Sequence, residues 1–175
     1  MRLDPFSGFS ESMSANLLSG TLMIAGRATS GKTSALTALL ERVPLGIEVA
    51  VVAYYPLNLV RSHTYYALDK FMGAPGWLAE EIVLKHGEKV LVAIDEVNGA
   101  PPADLLYRLI SKKVTVWFSI HCSGYGLSDA YRLLHRYLYA TEQSQINWKA
   151  EKAILLTRGR PGDRPDIVQS ATNVS

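Results

Sequence analysis

Five short apolar runs alternate with segments of helical periodicity along this chain. Thr21 to Ala25, Glu48 to Ala53, Lys89 to Ile94, Val114 to Ile120 and Lys152 to Thr157 are of strand length and apolar at successive positions. That continuity is the pattern of a strand buried on both faces. Leu36, Leu39, Leu40 and Val43 form a stripe that predicts a helix from Lys32 to about Arg42, stopped by Pro44. Ser62 to His86 reads as helical, with a break at Gly73-Ala-Pro-Gly76. Ala103 to Ser111 reads as a helix whose start tolerates Pro101 and Pro102. Ser128 is the candidate N-cap of a further helix to about Ala140. Alternating strands and helices predict an α/β domain with a central, mostly parallel five-stranded sheet flanked by helices. The expected organisation is an irregular lead-in over residues 1–20, one domain over 21–160 and a loose tail over 161–175.

Ligands of such sheets bind beyond the carboxyl ends of the strands, and the chemical candidates cluster there. Gly26 to Thr33 reads GRATSGKT, which meets the phosphate-loop pattern G-x-x-x-x-G-K-[ST] between an apolar strand and a helix. Glycine lets backbone wrap a phosphate without side-chain clash, and amides at a helix N-terminus form an anion nest. Gly26, Ala28, Thr29, Ser30, Gly31, Lys32, Thr33 and Ser34 are therefore the candidate ATP-binding residues. Lys32 is expected to reach the β- and γ-phosphates, and the Thr33 hydroxyl to bind Mg2+. Ser34 reads equally as an α-phosphate contact or a plain first-turn residue. Such a loop predicts a P-loop NTPase, with ATP and Mg2+ as its expected ligands.

Asp95 and Glu96 end the third apolar run. An acid at this strand end helps hold Mg2+ in P-loop enzymes, so Asp95 is the expected metal ligand. Glu96 is the expected base that polarises the attacking water. The fourth run ends Ser119-Ile-His121-Cys122 and is expected to lie between the phosphate-loop strand and the acidic strand. His121 is then placed to read the γ-phosphate; Ser119 would do so if the strand ended earlier. Cys122 reads as a buried filler. Arg132, Arg136, Arg158 and Arg160 come late in the chain and are candidates to act in trans, in a neighbouring subunit's site.

Composition narrows the partners. A chain of 175 residues with 48% hydrophobic and 19% charged residues is an ordinary globular balance for one domain. The net charge of +2 is too small to signal nucleic acid or an acidic membrane by itself. The single cysteine excludes an internal disulfide and suits a reducing compartment. No stretch approaches the roughly 18 apolar residues of a membrane span. The expected location is cytoplasmic, or peripheral to a membrane complex.

TLMIAGRATSGKTSALTALLE resembles the phosphate-loop segment of the secretion ATPases, the motors of type II and type IV secretion, of pilus extension and retraction and of plasmid conjugation. KVLVAIDEV is similar to that family's second nucleotide motif, with Glu96 in the place of its glutamate. WFSIHCSGYGLSDAYRLL is similar to its histidine box, with His121 as the matching histidine. The resemblance runs from about Leu18 to Leu134 and more weakly to Arg160, and covers the core only. Tyr54 and Tyr55 stand where the family has an acidic box, and Asp95 stands where it often has glycine. The reading finds no counterpart of the family's separate N-terminal domain. The acid pair with a polar strand tip also resembles RecA-like and FtsK/HerA DNA translocases, including viral genome-packaging motors.

The resemblance implies an ATP-hydrolysing motor subunit, assembled as a homo-oligomeric ring such as a hexamer, that drives protein or DNA cargo. A DNA-translocating or packaging ATPase, a small-molecule kinase with the same loop, and a nucleotide-gated binding module are the competing readings.

Overall fold

The computed structural model describes Leu18, residues 20–27, 30–71, 73–95 and 101–122, and the backbone of two strands at 152–157 and 166–171. The elements are β1 (Thr21–Gly26), α1 (Lys32–Glu41), β2 (Val49–Ala53), β3 (Thr64–Ala67), a 3-10 turn (Leu68–Phe71), α2 (Pro75–His86), β4 (Leu91–Asp95), α3 (Ala103–Ser111), β5 (Thr115–His121), β6 (Lys152–Thr157) and β7 (Asp166–Ala171). The strands form one seven-stranded sheet in the order β3-β2-β4-β5-β1-β6-β7. Every neighbouring pair is parallel except β6 with β7.

Each central strand divides its side chains between two cores, as the period of two requires. Leu22 and Ile24 of β1, Val49 and Val51 of β2, Leu91 and Ala93 of β4 and Trp117 of β5 pack with Leu36, Leu39 and Leu40 of α1. Met23, Ala50, Val52, Val92, Ile94, Phe118 and Ile120 face the other way, onto Leu78 and Ile82 of α2 and Leu105, Leu106 and Leu109 of α3. Helices on both faces explain why the strands read as unbroken apolar runs. The mostly parallel α/β sheet is as the sequence predicts, and β5 lies between β4 and β1.

Two expectations are corrected. The stretch from Ser62 to His86 is not one broken helix: its start is edge strand β3, then a 3-10 turn, and α2 begins only at Pro75. Proline at the first helical position starts a helix, so the Pro75-Gly76 signal marks an entry rather than a kink. The strand count is seven rather than five, because β3 and β7 join the sheet. Strand β7 lies in the segment read as a loose tail and pairs along β6 from Asp166 to Ala171. The helix expected from Ser128 lies outside the described residues.

The crossover from β2 to β3, residues 54–63, carries no helix. It is fixed by Leu57 and Leu59, which pack on the α1 side of the core, and by Arg61. Arg61 is only 7% exposed. Its guanidinium donates to the carbonyls of Val43 at 2.5 Å and Ile47 at 2.8 Å, and more distantly to Leu40 and Pro44. These include terminal carbonyls of α1, which has no basic residue in its own last turn. The cation thus satisfies orphan acceptors and complements the negative end of the helix dipole. Arg61→Ala is expected to lower stability by about 2–3 kcal/mol, since hydrogen bonds to charged groups are lost and buried carbonyls are stranded. Arg61→Lys should recover only part, because one ammonium lacks the planar fork. An unchanged urea midpoint for Arg61→Ala would contradict this role.

Candidate functional site

Strand β1 delivers the chain to Gly26, and α1 begins at Lys32 on the same edge of the sheet. Gly31, just before the helix, has φ 97°, a left-handed conformation that glycine adopts without strain. A glycine at this cap offers no side chain to the first amides of α1, and the first turn contains no acidic residue. Those amides are therefore oriented toward an anion beyond the helix end. Gly26, Ser30, Gly31, Lys32, Thr33 and Ser34 are described. Ala28 and Thr29 lie outside the described residues.

The Lys32 ammonium donates to the Gly26 carbonyl at 3.0 Å and to the Arg27 carbonyl at 2.7 Å. Burial lowers its pKa from the ordinary lysine value, while Asp95 and Cys122 act in the opposite sense. The residue is 5% exposed, so an anion is the group that would best stabilise its charge. The Gly26 carbonyl also accepts from the Cys122 amide at 2.9 Å, which ties the start of the loop to the end of β5. Cys122 is buried with the α2–α3 core, as a filler would be.

Asp95 ends β4 and is 2% exposed. Its Oδ2 accepts from the Thr33 hydroxyl at 2.8 Å, and its Oδ1 accepts from the Ser119 hydroxyl at 2.7 Å. The strand periodicity accounts for this meeting. Ala93 and Trp117 face α1, so Asp95 and Ser119, two residues further on, face it too. Thr33 stands in the first turn of that helix. Thr33, next to Lys32, and Asp95, far away in sequence, thus meet beyond the carboxyl ends of the strands.

His121 is the last residue of β5 and lies in register with Gly26. Among the described residues, its buried Nδ1 has no hydrogen-bond partner, nor has the buried Ser30 hydroxyl oxygen. Unpaired buried polar atoms carry a free-energy penalty that a ligand would relieve. Because β5 continues to His121, Ser119 is not at the strand tip, and its hydroxyl is engaged by Asp95 rather than free to read a phosphate. The Ser119–Asp95 bond was not legible from spacing, because it depends on the register of β5 against β4, which sets Phe118 opposite Ile94. Glu96, Arg132, Arg136, Arg158 and Arg160 lie outside the described residues.

The donor set suits Mg2+. Thr33 and Asp95 present a hydroxyl and a carboxylate, hard oxygen ligands, beside an anion-binding helix end. Among the described residues no group of three or more His, Cys, Asp or Glu could form an all-protein metal cage. Mg2+ is typically held by one or two protein oxygens together with substrate phosphates, which matches this arrangement.

The chain is similar in structure to the VirB11 ATPase of the Brucella suis type IV secretion system, solved in complex with sulphate. That match has a TM-score of 0.69 at 17% identity and covers 91% of this chain and 51% of the other. It is also similar to the Legionella pneumophila ATPase DotB, with a TM-score of 0.65 at 13% identity, covering 96% of this chain and 50% of the other. The likeness establishes the fold alone, a mostly parallel α/β sheet flanked by helices. The chain spans about half the length of these two neighbours. No protein-family model and no curated protein matches the sequence. Among the described residues no helix is long and apolar enough to cross a membrane.

Proposed function

We propose that this chain is an ATP-binding and ATP-hydrolysing motor subunit, of the kind that drives macromolecular transport in secretion, pilus and conjugation systems. The observation that carries the reading is the Asp95 carboxylate bonded to Thr33 at the start of the helix whose Lys32 borders the loop. The backbone amides from residue 28 to Thr33 and the Lys32 ammonium bind the phosphates. Thr33 and Asp95 hold Mg2+, which supplies charge neutralisation to the β- and γ-phosphate oxygens when bound. Glu96 orients a water and takes its proton, and His121 reads the γ-phosphate through a hydrogen bond. One or more of Arg132, Arg136, Arg158 and Arg160 enters a neighbouring subunit's site. The assembly is a homo-oligomeric ring, cytoplasmic or on the cytoplasmic side of a membrane complex.

A second reading, a DNA-translocating or genome-packaging ATPase, is favoured by Asp95 itself. The secretion family often has glycine at that position, whereas here a carboxylate is engaged with both Thr33 and Ser119.

The test is ATP hydrolysis as a function of protein concentration, with and without DNA. A head-to-tail ring completes each site at a subunit boundary, so specific activity should rise with concentration. Mixing Lys32→Ala subunits with subunits that lack the four arginines should restore hydrolysis at mixed interfaces. Stimulation by DNA would select the second reading. Constant specific activity on dilution, with a monomeric mass in ATP, would overturn the ring.

A further inference from the structure

Ser119 is 0% exposed and interrupts an otherwise apolar strand interior between Phe118 and Ile120. A hydroxyl taken out of water is unfavourable unless it is hydrogen-bonded, and valine or alanine would serve a purely structural strand better here. Its described bond goes to Asp95 Oδ1, the carboxylate oxygen that Thr33 does not use. The register explains the contact. Phe118 is paired with Ile94, so the next residues, Ser119 and Asp95, stand abreast across the β4–β5 boundary. Both point to the face that α1 covers.

We infer that Ser119 is a positioning residue for the metal-binding carboxylate: its hydroxyl fixes the plane of Asp95 so that Oδ2 is presented toward Thr33. The terminal torsion of an aspartate is broad and roughly two-fold, so one donor on one oxygen leaves the plane free to rotate. Two donors on different oxygens define it. Ser119 touches neither nucleotide nor metal and acts only through Asp95. Groups that hold a metal ligand in this way typically change metal affinity by about 10–100-fold when removed. The inference rests on the magnesium–nucleotide reading above and deepens it.

The experiment measures binding of a fluorescent ATP analogue, mant-ATP, to the full chain as Mg2+ is raised from an EDTA baseline. In the parent, affinity should rise with Mg2+. In Ser119→Ala the same rise should need about tenfold more Mg2+, with the EDTA affinity and the thermal midpoint near the parent's. Ser119→Thr, which restores a hydroxyl, should recover the parent's Mg2+ dependence. Ser119→Cys, close in size with a weak S–H donor, should fall between and serves if the added threonine methyl disturbs the buried site. An unchanged Mg2+ dependence in Ser119→Ala would overturn the inference. So would an equal loss of affinity with and without Mg2+, which is the mark of a merely structural residue. A parent protein that binds no mant-ATP overturns the nucleotide reading itself, and the inference with it.

Discussion

Lys32→Ala is expected to abolish nucleotide binding and hydrolysis while leaving a folded protein. The ammonium borders the loop, bonded to the carbonyls of Gly26 and Arg27 rather than to the core. Burial lowers its pKa, so charging it is harder in the folded chain than in the unfolded one. The sign follows directly. The unfolded state binds more protons in the window between the lowered value and the ordinary value of 10.5, so stability rises with pH there. Below that window the full electrostatic penalty is present. Removing the charge therefore relieves a penalty that nucleotide phosphates would otherwise offset. The measurements are equilibrium binding of ATP, turnover and the unfolding midpoint at pH 7. A folded variant with the parent's affinity and turnover would refute the whole site.

Glu96→Gln should keep ATP bound and slow hydrolysis by about 10²-fold or more, because an amide of the same shape cannot take the water's proton. The neighbouring acid is a poor substitute. Each Asp95 oxygen already accepts a hydrogen bond from a hydroxyl, and the lone pairs that remain are the ones proposed to hold Mg2+. Single-turnover kinetics separate the two effects, since binding should persist while the chemical step slows. Hydrolysis at the parent's rate would move the base elsewhere and strengthen the small-molecule kinase reading.

The phosphate loop and β1, β2, β4 and β5 were legible because each signal is local. Runs such as VAVVA and LVAI are apolar at every position because both faces are covered, and the glycine–lysine–threonine spacing needs no partner from elsewhere. Strand β3 was not legible. Thr64-Tyr-Tyr-Ala67 is a sheet edge with only Tyr66 buried, so it carries neither an apolar run nor a clean alternation. Strand β7 is likewise an edge, and its short DIVQSA pattern is set among polar and charged residues. The site shows the same division. Lys32, Thr33 and Asp95 follow from motif and strand end. The Ser119–Asp95 contact follows from strand register, and that of Arg61 from a helix end reached across the crossover, which no local pattern announces.

The sheet order also sets when the site can exist during biosynthesis. Strand β1 precedes β2, β3 and β4 in the chain, yet both of its neighbours, β5 and β6, follow them. As the chain leaves the ribosome, TLMIAG has no strand to pair with until Thr115–His121 has emerged, and its second edge stays open until Lys152–Thr157 follows. β2, β3 and β4 can pair among themselves in the meantime. The nascent chain therefore carries an apolar strand with two open edges while β2, β3 and β4 are made, the kind of surface on which chaperones act and aggregation begins. The loop after β1 acquires its contacts to Ser119's partner Asp95 and to the Cys122 amide only when β5 slots between β4 and β1.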